Sequence, residues 1–499
     1  MLQTRKVTTA SGATSVQVVQ YQNDKTIVRK HIGSSHDRDK LSKLIQKANE
    51  WILKETRQFS FFEDRAEKTL YVNRSECIAV THQFARDFFL SCFKECGLLE
   101  LDALLIDLAM MRLIEPASKL RTINLLLQYF GVSYSQRIYA NIPKLLTLKN
   151  VVEEHAYRIA SEKFNEPFYY VLYDVTTLYF ESFKSDELRI QGFSKDNKSQ
   201  QPQIIIGLLV TQSGFPLIYD VFPGNTFEGH TMLPVIERFV NKHKHIKPII
   251  VADAAMLSEE RLEELRSKNI SYIVGARLAN SNLALIKNIS GSLNCKNGSA
   301  IRVSTQHGNL VCNFSEKRFK KEKHELNKLI KKAETFVSQQ SSGKGTKFVK
   351  RVSKEIVELN KPLIEKRKLL LGIKGYVTDI PEEKMSNEKI VEHYHNLWRV
   401  EQTFRMSKND IQSRPIFHFK EDSVRSHVLI CFVALMIEKY LELTTKMSLR
   451  QIRDIIWNIT EAHIQDTQTK EIYTFRSPTK DLMESPLADL TKKWKLLPY

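Results

Sequence analysis

The sequence predicts an α/β protein: a mixed-sheet core that carries an inserted subdomain and follows a mainly α-helical amino-terminal region. Three observations lead there. Between Glu166 and residue 276, apolar runs rich in β-branched and aromatic residues are joined first by tight turns and then by helix-period segments. Ahead of that stretch, residues 36–165 space apolar side chains three and four apart, the helical period. Beyond it, from 277 to 370, the apolar runs thin and basic residues accumulate, before a last strand and helices return. The chain has 499 residues and 42% of them are hydrophobic, so it can build packed cores.

Residues 1–35 read as a β-hairpin start. Ser15–Gln22 and Lys25–Ile32 are rich in β-branched residues and flank the turn pair Asn23-Asp24. Ser34–Asp39 then caps a helix through Leu41, Ile45, Ala48 and Ile52. Helical runs follow over Ile78–Cys96 and Leu99–Ile114. Glu115-Pro-Ala-Ser118 breaks the second, Lys119–Phe130 resumes the period, and Val151–Phe164 is the last helix of the region.

The core opens with Phe168–Phe180, an aromatic and β-branched strand that contains Asp174. Pro202–Val210 and Phe215–Phe222 are the next two strands, joined by Ser213-Gly214. A helix over Thr231–Lys242 leads to the wholly apolar strand Pro248–Ala252, which ends at Asp253. A helix over Ser258–Lys268 then leads to the strand Ser271–Ala276. The core thus occupies 166–276 and resumes over 371–446. In the second part Gly375–Ile380 is a returning strand, a helix starting near Asn387 carries Glu401, and Ser423–Thr444 is a long apolar helix. The tail, 447–499, adds one more helix and a strand at Glu471–Phe475.

The insertion, 277–370, interrupts that sheet. Ala300–Val303 and Gly308–Phe314 alternate weakly, and from Ser315 to Lys368 there are 17 Lys/Arg against 7 Asp/Glu. Ser341–Lys347 has the look of a phosphate-binding loop, but it lacks the earlier glycine and the preceding buried strand, so it reads as a turn.

The formal net charge is +18, which favours a polyanionic partner, nucleic acid first among them. The six cysteines are sparse and irregularly spaced, as in a reducing cytosol, and Cys92 with Cys96 lacks any second pair that would make a zinc site. Val428–Ile437 is the longest strongly apolar stretch and is too short for a bilayer, and Met1–Lys6 opens no secretory signal. The expectation is a cytoplasmic protein with no membrane partner.

The densest chemistry lies in Tyr394–Lys408. As one helix, steps of seven, four and three residues bring Tyr394, Glu401, Arg405 and Lys408 onto one face. A carboxylate beside a phenol and two cations suits a metal ion held next to a phosphodiester. If the strands that carry Asp174 and Asp253 are neighbours, those two carboxylates meet at one sheet edge, and Glu401 arrives on a helix across it. Such a trio needs cations to stay ionised together, and Arg405, Lys408 and Tyr394 could hold phosphate. Plainer explanations stand beside this. An Asp at a strand end is commonly a turn or helix cap, Glu401 and Arg405 could form an i,i+4 surface ion pair, and Trp398 could simply pack.

The order of elements and the block around Glu401 resemble bacterial insertion-sequence transposases of the DDE, RNase H-like class. More narrowly they resemble the group with a Tyr-x2-Arg-x3-Glu-x6-Lys signature and a β-rich insertion. Tyr394, Glu401 and Lys408 fit that spacing, Leu397 stands at the Arg position, and Arg399 lies two residues on. Tyr173–Thr177 with Asp174, Val251–Met256 with Asp253, and Phe222–Glu228 are similar to the family's other blocks. The resemblance covers about 165–445 and, more loosely, Glu115–Lys119. It implies that Asp174, Asp253 and Glu401 are catalytic and bind two Mg²⁺ ions, with Mn²⁺ able to substitute. Tyr394, Trp398, Arg399, Arg405 and Lys408 would then contact DNA. The implied partners are double-stranded DNA, as terminal inverted repeats and target, and a second copy of the chain on paired ends. The amino-terminal region (36–165) and the insertion would grip the repeats, in a bacterial, nucleoid-associated protein. Two other functions remain open from the sequence: a structure-specific metal-dependent nuclease of the same fold, and a non-catalytic DNA-binding descendant.

Overall fold

The computed structural model describes residues 2–22, 25–56, 71–135, 138–192, 200–256, 258–305, 308–338, 347–351 and 357–496. The chain divides into two compact units, Met1–Glu76 with Gln465–Tyr473, and Cys77–Ile464 with Thr474–Tyr499.

In the first unit the hairpin expected over Ser15–Ile32 is the larger part of a three-stranded antiparallel sheet, Leu2–Thr8, Thr14–Gln22 and Lys25–Ser35. The Asn23-Asp24 turn itself lies outside the described residues. Leu2–Thr8 is not expected from the sequence, because its one long polar run, Gln3–Lys6, hides the alternation. The helix Arg38–Thr56 lays Leu41, Leu44, Ile45 and Ala48 on Val16 and Val18.

In the second unit the helical layer comes first, with Gln83–Glu95, Ala103–Ile114, Lys119–Phe130 and Lys149–Phe164. Asp102 and Ser118 cap the second and third of these by accepting from backbone N–H groups. Ile78–Cys96 is not one helix. Ser75–Thr81 is a strand, because Ile78, Val80 and Thr81 are β-branched, and the helix starts only at Gln83.

Eight strands make the central sheet: β1 Tyr170–Tyr179, β2 Gln203–Val210, β3 Pro216–Pro223, β4 Ile249–Ala252, β5 Tyr272–Ala276, β6 Ala300–Thr305, β7 Gly308–Phe314 and β8 Ile373–Thr378. Their order is β6-β7-β8-β5-β4-β1-β2-β3. β1, β4 and β5 are parallel and the other pairings are antiparallel. A short turn joins β2 to β3 and the longer segment 180–202 joins β1 to β2, all three as antiparallel neighbours, whereas the crossovers through Met232–Lys242 and Glu259–Ser267 permit parallel pairing.

The first part of the insertion extends this sheet rather than interrupting it. β6 and β7 form a hairpin, and β7 pairs with the returning strand β8, whose edge would otherwise be bare. The basic second part is the 23-residue helix Glu316–Ser338, a short pair of strands and the helix Lys361–Leu369. Most of Ser341–Lys347 lies outside the described residues.

Glu421–Thr445 is almost entirely buried, the central helix of the core. At its first turns, buried basic side chains converge on backbone carbonyls. Arg112 donates to the carbonyls of Ile411 (3.5 Å) and Gln412 (3.2 Å), His427 pairs with the Ser413 carbonyl (3.1 Å), and Lys119 lies 3.4 Å from His427. Those carbonyls follow the helix Trp398–Asn409, so its negative end meets the positive groups. Burial lowers the Lys119 amine to about 7, and the neighbouring Arg112 adds to the shift.

Candidate active site

Sheet register puts Asp174 and Asp253 side by side. β1 and β4 are parallel neighbours, and their pairing ends at Tyr173↔Ala252, one residue before each aspartate. Adjacent strands lie about 4.8 Å apart, so the two Cα atoms that follow are neighbours at the edge where β4 ends, while β1 runs on to Tyr179. β5 ends at that edge too, with Ala276 opposite Gly375, and Lys374 stands just beyond it at the start of β8.

The helix expected to run unbroken from Tyr394 to Lys408 is two helices, Asn387–His395 and Trp398–Asn409. Between them the backbone bonds shorten to i→i−3: Leu397 N to Tyr394 O, Arg399 N to Asn396 O and Val400 N to Leu397 O. Each residue there turns by about 120° rather than 100°, so the seven-residue spacing no longer returns to one face. Tyr394 points inward and is 4% exposed, whereas Glu401 and Arg405 are on the surface and Lys408 is half-buried.

Two hydrogen bonds pin the Glu401 helix over the sheet. Asn396 donates to the Tyr170 hydroxyl on β1 (2.9 Å), and Thr403 donates to the Gly214 carbonyl in the β2–β3 turn (2.9 Å). Gly214 has φ +85°, and a Cβ there would stand 3.3 Å from Arg399, Lys439 and Thr403 atoms.

The Tyr394 hydroxyl has a partner within the chain. It donates to Asp253 Oδ1 at 3.0 Å, and the Ala254 N–H donates to the same oxygen at 2.7 Å. Gly275 makes this possible, since any Cβ at that position of β5 would lie 2.5 Å from the Tyr394 hydroxyl. Burial, then the Asp253 charge and hydrogen bond, then Glu401, push the phenol far above its ordinary value, so it remains a donor.

Lys374 joins the site without being expected from the sequence. Its Nζ lies 4.3 Å from the Tyr394 ring centroid. Burial and then Arg318 lower its amine, while Asp253 and Glu401 both oppose that shift. Glu228, in the loop after β3, is a fourth acid, felt together with Asp174 and Asp220 at the buried Tyr173 hydroxyl. Nothing in the sequence marks Lys374 beyond its place at the head of the returning strand.

The structure therefore brings Asp253, Tyr394, Lys374 and Glu401 into one electrostatic neighbourhood and sets Asp174 on the adjoining strand. Among the described residues no ion pair joins Glu401 to Arg405. Trp398 is 48% exposed and carries the Arg399 guanidinium over its ring at 5.0 Å. Arg399 Nε is buried without a hydrogen-bond partner.

The donor chemistry of Asp174, Asp253 and Glu401, all carboxylate oxygen, suits a hard divalent cation. Their spacing is open, since among the described residues no three His, Cys, Asp or Glu side chains stand close enough to hold one ion. The set fits a metal in kind and in sharing one edge, and it closes round an ion only if side chains or the Glu401 helix shift.

The eight-stranded mixed sheet, with the helical layer before it and helices after the returning strand, has the RNase H-like fold. The chain belongs to the Transposase DDE domain family, whose model matches residues 169–437. It is a DDE transposase, of a class that cleaves DNA and transfers the cut strand, and divalent-metal use is typical of that family. Among solved structures, the chain is similar to the piggyBac transposase in a synaptic complex with hairpin DNA. Identity there is 10%, covering 84% of this chain and 83% of that one, with a TM-score of 0.37. It is also similar to the Mos1 transposase in a paired-end complex with the left transposon end. In that case identity is 14%, coverage 46% and 66%, and the TM-score 0.16. No curated protein matches it in sequence. Among the described residues no helix is long and apolar enough to cross a membrane.

Proposed function

We propose that Asp174, Asp253 and Glu401 are the catalytic carboxylates of this transposase and the ligands of two Mg²⁺ ions, for which Mn²⁺ can substitute. The observation that carries this reading is the register of β1 and β4, whose pairing ends at Tyr173↔Ala252, so that the aspartates that follow are neighbours on the side of the sheet where the Glu401 helix packs. Divalent ions supply charge stabilisation for the attacking and leaving oxygens of a phosphodiester. The chain's own residues do the rest. Tyr394 fixes one oxygen of Asp253 by donating to it, and Gly275 leaves room for that ring. Asn396 and Thr403 hold the Glu401 helix in place.

Arg405 and Lys408, on the open side of that helix, and Trp398 with Arg399 at its start, contact the DNA backbone and bases near the cut. The helix Glu316–Ser338 and residues 36–165 bind the terminal repeats of an insertion sequence. Two copies of the chain pair two ends, and the freed 3′-hydroxyl then attacks target DNA.

Substitution tests the assignment. Asp174→Ala, Asp253→Ala and Glu401→Ala should each abolish strand cutting in a nicking assay while end binding in a mobility-shift assay stays within a few-fold of the parent. Parent-like cutting by any one of them removes that residue from the site. Joined products from a pre-cut end distinguish strand transfer from simple nuclease action.

A further inference from the structure

β4 stops beside Tyr173, whereas β1 runs on to Tyr179. There the segment after the Glu401 helix takes the place beside it. Ile416 N donates to the Tyr179 carbonyl (3.3 Å), and Phe180 and Ile416 form a parallel bridge. Ile416 is buried and the His418 ring lies 5.5 Å from that of buried His427, so the alternate residues turn outward. These are Phe417 and Phe419, 62% and 63% exposed, and exposed Lys420 follows them. Phe419 is braced by Arg189, whose guanidinium lies 5.5 Å from its ring centroid and 5.5 Å from that of buried Phe180. Arg189 Nε donates to Asp186 Oδ2 at 2.6 Å. Arg189 itself is 7% exposed, and its Nη1 is buried with no hydrogen-bond partner among the described residues. Arg414, 5.6 Å from the Tyr179 ring centroid, is a further cation on the same segment. A single exposed ring needs no explanation, but two at successive outward positions, one of them propped on a buried guanidinium, mark a contact surface.

We propose that Phe417 and Phe419 form a base-stacking wedge for the DNA that flanks the cut. The inference rests on the assignment of the cutting site to the edge that carries Asp174. Phe180 follows Asp174 by six residues of extended chain, about 20 Å, or roughly six base-pair steps. A duplex lying along β1 with a phosphate at the acids therefore brings its base steps to the rings. Apolar side chains inserted between base steps unstack them and kink the duplex, and a ring gains from any base face whatever the sequence. Arg414 and Lys420 bracket the rings with positive charge, which suits the phosphates on either side of a kinked step. A second copy of the same segment would set those like charges against each other, so DNA is the better occupant.

Permanganate footprinting reads such a wedge directly, because it oxidises thymines where they are unstacked. The full-length chain is bound, without divalent metal so that the DNA stays whole, to a linear duplex joining one terminal repeat of its own element to flanking sequence. The parent should make a thymine reactive roughly six base pairs from the cut. Phe417→Ala together with Phe419→Ala should abolish that reactivity and weaken binding about tenfold or more. The slope of log affinity against log salt should not change, because a phenyl ring neutralises no phosphate. Phe419→Leu keeps apolar bulk and should lose less of both, and circular dichroism checks each fold. A parent complex with no such thymine, or parent-like reactivity and affinity in the double variant, overturns the inference. So does a double variant that alters only the self-association of the DNA-free chain in sedimentation, which makes the rings a protein interface. If a ring-dependent thymine lies elsewhere along the duplex and Asp174→Ala still cuts, the site assignment fails and the wedge stands.

Discussion

Gly275→Ala tests the geometry of the acidic edge through a single methyl group. An ideal Cβ at Gly275 would stand 2.5 Å from the Tyr394 hydroxyl, 3.1 Å from Tyr394 Cζ and 3.1 Å from the Ala254 nitrogen. The backbone contact cannot yield easily, so the ring must. Overpacking of this kind costs about 1–3 kcal/mol. The alanine returns roughly 0.4–1 kcal/mol by restricting the unfolded chain. Moving the hydroxyl also breaks its bond to Asp253, a charged acceptor worth about 1.5–3 kcal/mol where water cannot replace the donor and less here, because Asp253 is exposed. We expect a net loss of about 1–3 kcal/mol and a melting temperature lower by a few degrees. DNA cutting should fall by a larger factor than stability alone explains. Tyr394→Phe removes the hydroxyl that clashes, so in the Gly275→Ala background it should restore stability rather than lower it further. That gives a coupling energy of roughly 1–2 kcal/mol between the two sites. Thermal melts and cutting rates of the parent, both single variants and the double variant form the assay. Strictly additive losses, or parent-like melting and cutting by Gly275→Ala, would refute the placement of Tyr394 against β5.

Three further outcomes are expected. Lys119 has a folded-state pKa of about 7, below that of the unfolded chain, so the unfolded state binds more protons between pH 7 and about 10.5 and stability rises with pH across that window. Lys119→Met should therefore stabilise the protein by a few kcal/mol at pH 7 and by less at pH 9, which melts at the two pH values will show. Arg112→Ala takes two hydrogen bonds from the carbonyls of Ile411 and Gln412 and should cost about 2–4 kcal/mol in chemical denaturation, with slower cutting at unchanged DNA affinity. Lys328, Lys331 and Lys332 project from the helix Glu316–Ser338, and changing them to Gln should flatten the plot of log affinity against log salt by roughly 0.9 for each phosphate no longer neutralised. An unaltered salt slope takes that helix off the DNA.

The strands of the core are legible because their side chains are buried on both faces, and such runs stand out: Ile204–Val210 and Ile250–Ala252 contain no charge at all. Asp253 can be picked out by its position just after the second of these runs, and Asp174 by its place after the apolar Val171–Tyr173 of β1. Their adjacency depends on strand order, which spacing cannot give and the register supplies. The break at Asn396–Leu397 is not legible, because both residues keep helical backbone angles and neither Gly nor Pro marks the site. That break decides which way Tyr394 and Glu401 face, so the phenol is a buried donor to Asp253 while the carboxylate lies on the surface. Lys374 is hidden for a related reason. A lone lysine at a strand start reads as a solvated end until β8 is seen to pair with β5 and bring it beside the acids. The hairpin β6–β7 reads as a separate insertion because its alternation is weak, yet the bare edge of β8 draws it into the sheet.

The Glu401 helix has a handle as well as a working end. Twelve residues long, it bears its carboxylate in the first turn, while Arg112 and His427 grip the carbonyls past its last turn. From residue 401 to residue 411 is about 15 Å of helix. Arg112 belongs to the layer of helices that precedes the core, so a tilt of about ten degrees levered from that layer swings the carboxylate by roughly 2–3 Å over that length. The position of that carboxylate is therefore set from both ends of its helix, by Asn396 and Thr403 at the sheet and by Arg112 from the layer that precedes the core.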